Sequence, residues 1–201
     1  MPLPHSLYER VMVLPIHVYG DPILRRPADP VEENGPELQQ LIENMVETMH
    51  AASGIGLAAP QVGRTERLFV VDLTPMADEI DEEVPPQPMV FINPTITEES
   101  EETTEFEEGC LSIPEIREIV RRPERIRVEY RDRNFTPQVL EADGLLARVI
   151  QHELDHLDGI LFVDHISAFR RQLLKRRLRE MARGEVEADY ALALPPGEAM
   201  R

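Results

Sequence analysis

Between Pro36 and Ala52 the apolar residues Leu38, Leu41, Ile42, Met45, Val46 and Met49 return every three or four positions, the period of a helix with one buried face. The stretch from Pro15 to Val31 carries Gly20, Pro22, Pro27 and Pro30, a spacing that prevents a long helix and predicts extended chain with turns over the surface. GIGLAAPQVG (residues 54–63) breaks helical continuity with three glycines and a proline, and RLFVVDL (67–73) is rich enough in β-branched and aromatic residues to predict a buried strand. MVFINP (89–94) predicts another strand. Alternation in REIVRRP (117–123), RIRVEYRD (125–132) and TPQVLEA (136–142) predicts consecutive antiparallel strands. The helical period returns from Asp143 to Leu157 and again from about Ile166 to Arg183, where Ile166, Phe169, Leu173 and Met181 fall near one side. A polar tail ending PPGEAMR is expected to fray. The expected architecture is α+β: antiparallel sheets packed around a central helix, with an N-terminal helix and a C-terminal helix at 164–184. All of it belongs to one domain, 1–201, with an N-terminal extension at 1–13 and a polar tail at 185–201.

Composition agrees with a globular chain: 201 residues, 42% apolar and 29% charged. Acidic residues outnumber basic ones 38 to 21, and a net charge of -17 repels a phosphate backbone over most of the surface, so general nucleic-acid binding is not expected. No run of eighteen apolar residues is present to span a membrane, and the N-terminus has no signal-like apolar stretch. One cysteine forms no internal disulfide, which makes the cytoplasm the expected compartment. Five acids in the six residues from Asp78, followed by three prolines up to Pro88, predict a solvated loop, and seven glutamates from Glu98 to Glu108 predict an exposed acidic edge.

His152, Glu153, Leu154, Asp155 and His156 spell HExxH, which puts two imidazoles one turn apart on the same helical face, where both can bind one ion. The glutamate between them can take a proton from water at that ion and return it to a leaving nitrogen, which is hydrolytic chemistry. Two ligands rarely suffice, and the third separates the metallohydrolase classes. HELDHLDGILF matches HExxHxxGxxH through Gly159, but Phe162 stands where a third histidine is required. Glu180 lies downstream in a strongly basic helix and is a minor alternative. Cys110, in EEGCLSIPE, sits in a context more like a shaped loop or strand edge than a core. Its thiolate with two imidazoles gives three ligands and an open fourth position, so Cys110, His152 and His156 are the expected metal ligands.

GIGLAAPQVG (54–63), EGCLS (108–112) and QHELDH (151–156) resemble, in order, the three signature motifs of the peptide deformylase family. The likeness continues through LPIHVYGDPILRRPADPV, LFVVDL, INP and EADGLLARVIQHELDHLDGILFVD, covering most of the chain from Leu14 to about Arg183. The resemblance implies a cytoplasmic hydrolase that removes the formyl group from the initiator methionine of nascent polypeptides. It also implies ferrous iron, with zinc, nickel or cobalt able to substitute. Carried over, Glu153 is the general acid and base, while Gln61 and the backbone N–H of Leu111 polarise the formyl oxygen as negative charge grows on it. The substrate peptide would lie extended beside Gly54, Ile55 and Gly56, backbone to backbone. The family's methionine pocket places Ile55, Leu145, Arg148 and Val149 near the substrate side chain, with Arg148 at its mouth; Leu145 and Val149 read equally well as helix core. Glu108 and Arg122 are expected to form a supporting ion pair, and Arg117 to contact the substrate backbone.

Arg170, Arg171, Lys175, Arg176, Arg177, Arg179 and Arg183 concentrate seven of the 21 basic residues on the third helix. Two readings stand: a solvated face paired with the protein's own acids, or docking on ribosomal RNA or protein. For the site itself, the alternatives are an HExxH peptidase with another third ligand and a non-enzymatic metal-buffering or ribosome-binding protein. Glu153 and Gln61 argue against the last, because storage needs neither.

Overall fold

A computed structural model describes residues 11–77 and 85–195. Residues 1–10 of the N-terminal extension, 78–84 of the acidic insertion and 196–201 of the tail lie outside the described residues. The element order is β1 (Ile16–His17), α1 (Pro36–Ala51), β2 (Gly56–Ala58), β3 (Leu68–Val71), β4 (Met89–Glu99), β5 (Thr103–Cys110), β6 (Ile113–Pro123), β7 (Ile126–Arg131), β8 (Pro137–Ala142), α2 (Gly144–Leu157), α3 (Ala168–Ala182) and β9 (Leu192–Ala193). The main sheet has the order β2-β3-β4-β7-β8, all antiparallel, β5 and β6 form a separate hairpin, and β1 pairs with β9 in parallel.

Every residue of β3 is buried because the main sheet has a helix on each face. Leu68 and Val70 join Leu38, Leu41, Ile42, Met45 and Met49 of α1, whereas Phe69 and Val71 point the other way, into the cluster of Leu145, Leu146, Val149 and Ile150 from α2. The strand's period of two thus divides one apolar run between two cores. Phe69 stacks on Phe91 of β4 with centroids 4.7 Å apart, against the α2 side. α1 begins with Pro36 in its first turn and ends at Ala51, one residue short of the expected boundary. Its buried Asn44 and Thr48 accept the amides of Met12 at 2.9 Å and Leu14 at 2.8 Å, tying the start of the described chain to the helix.

The central helix agrees with expectation, with a sheet on its apolar side and the β5–β6 hairpin on its polar side. No helix among the described residues is long and apolar enough to cross a membrane. Three expectations need correction. REIVRRP lies in β6, which pairs with β5 and not with β7, because alternation specifies faces and leaves partners open. α3 starts at Ala168 behind the Ser167 cap, with a 3-10 turn at Phe162–Asp164 before it, and Phe169 and Leu173 are 72% and 58% exposed. Only Leu178 and Met181 of α3 are buried, since the helix docks by its last turns, and its first turn is held by Arg170 on Glu118 and Arg171 on the carbonyls of Val163 and Asp164. Finally, the segment after Gly184 returns to pair Leu192 with Ile16, so a frayed tail does not begin at residue 185. Val186 and Tyr190, apolar anchors in an otherwise polar stretch, pack on two of the core clusters.

Candidate metal centre

The apolar stripe of α2 rolls its other face toward the hairpin, carrying His152 and His156 inward at 9% and 1% exposure. Their rings are 5.1 Å apart and nearly perpendicular. Cys110 ends β5, where the pair Cys110–Ile113 closes a two-residue turn made of Leu111 and Ser112. Its Sγ is 3.2 Å from His156 Nε2, and the three ligand atoms offered by Cys110, His152 and His156 all lie within 4.8 Å of one another. Bonds of about 2.3 Å to sulfur and about 2.0 Å to nitrogen at a tetrahedral angle would leave two ligand atoms roughly 3.5 Å apart, so the separations suit a transition ion. The donor set, soft sulfur with two imidazoles, suits iron or zinc better than a hard oxygen-seeking cation.

The electrostatics favour a cation at the same point. Burial disfavours the Cys110 thiolate, yet His156 and His152 outweigh it and bring the thiol down to about 5. His152 is likewise driven upward against its burial by Cys110 and Glu108. Two anions therefore hold a proton on His152 that a divalent ion would displace. His152 Nδ1 bonds Glu108 Oε2 at 2.9 Å, orienting the ring so that Nε2 faces the cluster. His156 Nδ1 is buried without a protein partner among the described residues.

Glu108 is the hub of the supporting layer. Its carboxylate takes Arg122 Nε at 2.7 Å and Nη2 at 3.0 Å, Arg148 Nη1 at 2.9 Å and His152 Nδ1 at 2.9 Å. Burial alone would raise its pKa, but the bonds to His152 and Arg122 hold it well below the usual carboxylate range. The expected Glu108–Arg122 pair is present. Arg122 goes on to Asp155 at 2.7 Å, which also meets His165 Nε2 at 2.7 Å. Asp155 and His165 are not predicted from the sequence; the available signal is an acid inside HExxH, which here is half-buried between Arg122 and His165.

Glu153 sits 4% exposed beside the ligands, with Oε2 lacking any partner among the described residues. Burial, the largest influence, raises its carboxyl to about 7 against the pull of His152 and His156. Gly56 lies so close that a Cβ there would collide with Glu153 Oε1. Gln61 is 1% exposed; its Oε1 accepts Ala58 N at 2.8 Å, which turns Nε2 toward Cys110 Sγ at 3.5 Å and Ser112 Oγ at 3.2 Å. A buried carboxyl at Glu153 and an amide at Gln61 held by Ala58 N thus lie beside the Cys110–His152–His156 cluster, with the Leu111 turn directly after Cys110.

The substrate-side residues divide. Gly54, Ile55 and Gly56 lead into β2, an edge strand of the main sheet, and a Cβ on Gly54 would stand 2.8 Å from Leu111 Cδ1. Leu145 and Val149 are buried in the α2 core with Ile55 packed against it. Arg148 is not at a pocket mouth: it is 4% exposed, bonding Glu108, the Val120 carbonyl at 3.1 Å and the Thr104 carbonyl at 2.8 Å. The charge on Glu108 draws it inward, as it does Arg122. Arg117 is exposed over Gly109 and has no ion pair among the described residues. Glu180, the alternative ligand, pairs with Arg176 at 2.8 Å instead.

Comparison with known proteins extends the geometry. The sequence model of the polypeptide deformylase family matches residues 13–172. A peptide deformylase of Salinibacter ruber is 68% identical over 192 residues, covering 94% of this chain and 98% of its own length. One from Chlorobium phaeobacteroides is 49% identical over 182 residues, covering 90% and 96%. Among solved structures, peptide deformylase from Thermus thermophilus superposes with a TM-score of 0.74 at 45% identity, covering 87% of this chain and 98% of that one. The Ehrlichia chaffeensis enzyme in complex with actinonin gives 0.77 at 38% identity, covering 84% and 97%.

Proposed function

Because the chain belongs to the polypeptide deformylase family, and so is a hydrolase that removes the N-formyl group from nascent peptides, we propose that Cys110, His152 and His156 hold one divalent ion beside which Glu153, Gln61 and Leu111 carry out the hydrolysis. The ion, ferrous iron with zinc, nickel or cobalt able to substitute, supplies a Lewis acid that makes water nucleophilic near neutral pH. Glu153 takes the proton from the attacking water and delivers it to the amine that departs. A carboxyl that burial pushes upward holds a proton more readily than an exposed one, and a bound cation would pull it back toward the carboxylate, so both forms are accessible for the two transfers. Gln61 Nε2 and the Leu111 N–H receive the negative charge that grows on the formyl oxygen, and Gln61 does so without reorganising because Ala58 already holds its other end.

The substrate backbone lies along Gly54, Ile55 and Gly56, adding as a strand to the edge of the main sheet, so recognition depends mainly on main-chain bonds. Ile55, Leu145 and Val149 form the apolar wall toward the methionine side chain, Arg148 supports that wall through Glu108, and Arg117 reaches the substrate backbone. The cytoplasm is the setting, and contact with the ribosome runs through α3. Supporting that contact, Phe169 and Leu173 are exposed, and Lys175 and Arg179 have no ion pair among the described residues. Weighing on the other side, Arg170, Arg176, Arg177 and Arg183 already pair with Glu118, Glu180, Glu115 and Glu185.

The observation that carries the catalytic reading is a buried, unpartnered carboxylate oxygen on Glu153 next to three clustered ligand atoms. Its test is Glu153→Ala assayed on formyl-Met-Ala-Ser with metal content measured in parallel. The variant is expected to keep its ion and lose turnover; wild-type deformylation would overturn the mechanism.

A further inference from the structure

The chain does not finish with α3. Beyond Gly184 it doubles back, the Ala191 carbonyl accepts Ile16 N at 2.9 Å, and β9 runs alongside β1 with Leu192 opposite Ile16 and Ala193 opposite His17. On the way, the Tyr190 ring packs with Leu111 against the α1 core, and Tyr190 Oη donates to the Leu111 carbonyl at 2.8 Å. The next residue of the same turn is gripped from the other side of the strand pair, Tyr19 N donating to the Ser112 carbonyl at 2.8 Å. Both carbonyls at the tip of the β5–β6 hairpin are therefore held by donors from segments that flank the β1–β9 pair.

Resting on the deformylation reading above, we infer that Tyr190 is a positioning residue: by holding the Leu111 carbonyl, its hydroxyl aims the Leu111 N–H at the substrate's formyl oxygen. The Leu111 amide has two soft torsions that set its direction. On one side Cys110 is anchored by its pairing with Ile113 and by His156; on the other the carbonyl is anchored by Tyr190. With both flanking peptides restrained, the N–H has less room to swing than it would with the Leu111 carbonyl unheld. Without the Tyr190 bond the tip keeps its hold at Cys110 and at Ser112, and the Leu111 peptide between them gains freedom to rock. A rigid phenol suits the task because it spans the gap with little rotamer freedom and buries its ring while bonding at its tip. Burial, and then the negative charge of Cys110, push the phenol up to about 12, so it remains a donor wherever the enzyme works.

The test is Tyr190→Phe in the full-length, metal-loaded enzyme, which keeps the ring and removes only the donor. A misaimed donor should lower kcat on formyl-Met-Ala-Ser about tenfold, short of the hundredfold or more expected for losing an oxyanion donor outright. KM and metal stoichiometry should stay within about twofold of wild type, since the bond acts on the transition state. Wild type and Tyr190→Phe are both assayed on the thioformyl analogue, whose sulfur accepts hydrogen bonds weakly. Tyr190→Phe should lose several-fold more on the oxygen substrate than on the sulfur one, a ratio that is independent of how much protein is correctly folded. Equal losses on the two substrates, or an unchanged kcat, overturn the role of Tyr190. Failure of the underlying reading looks different: if no negative charge builds beside Gln61 and Leu111, then Gln61→Ala as well would lose equally on the two substrates.

Discussion

Replacing Arg122 with methionine tests whether the charged layer behind the ligands is integral to the site. Arg122 is 5% exposed and donates three bonds, two to Glu108 at 2.7 and 3.0 Å and one to Asp155 at 2.7 Å. Methionine fills most of the volume, so the cavity contribution is small and the dominant cost is the charge left behind. Removing one partner of a buried ion pair typically costs about 3–5 kcal/mol. Here the low end applies, because Glu108 retains Arg148 at 2.9 Å and Asp155 retains His165 at 2.7 Å. We therefore expect about 3 kcal/mol less stability in urea unfolding of the metal-free protein, and a midpoint temperature lower by roughly 6–12 °C for a chain of this size. Since Glu108 also orients His152, metal affinity measured against a competing chelator should fall about tenfold to a hundredfold. Arg122→Lys should recover part of the stability but less of the affinity, because an ammonium cannot hold both Glu108 oxygens in one plane. A loss below about 1 kcal/mol with unaltered metal affinity would refute the reasoning.

Gly56→Ala inserts a methyl into space held by Glu153, whose Cδ and Cγ would lie 2.9 and 3.0 Å away. It should reduce kcat about tenfold or more by displacing the carboxyl while leaving the ion bound; wild-type kcat at full metal content would contradict the placement of Glu153. At the surface, burial works against the Asp164 charge, but bonds from Arg25 and the Leu161 amide outweigh it and depress its pKa. A carboxylate depressed by folding stabilises fully above its unfolded value of about 3.9 and loses that contribution as pH falls through the lower folded value. Asp164→Asn should thus be less stable than wild type above about pH 5, with the gap closing as the pH falls below the unfolded value of about 3.9 in urea titrations; a gap that persists undiminished in acid would show that the charge is not its source.

What could be read from the chain follows the range of the interactions involved. α1 and α2 were legible because a helix displays its buried face within a few residues, and His152 and His156 share such a face by spacing alone. β3 was legible as buried, but not as divided between two helices, since LFVV has no polar position to mark either side. Cys110 could be proposed as a ligand from the chemistry of the donor set, although nothing local to β5 shows that it meets α2. The partner of β6 was illegible for a related reason: alternation gives the face of a strand, whereas the neighbour is decided by contacts far along the chain.

Arg148 and Tyr190 show the same limit at single residues. The family resemblance puts Arg148 at the mouth of a methionine pocket, and only the placement of Glu108 on the facing strand explains its inward course. Once Glu108 is buried for the sake of His152, its charge must be compensated, and two arginines converge on it because one leaves lone pairs unmet. Tyr190 lies in a polar stretch whose periodicity predicts nothing, and its position is determined by the pairing of β9 with a strand at the opposite end of the described chain. In both cases the residue's role comes from what a distant element must have satisfied, and chemistry at a site of this kind is legible from sequence only as far as its own donors are close together along the chain.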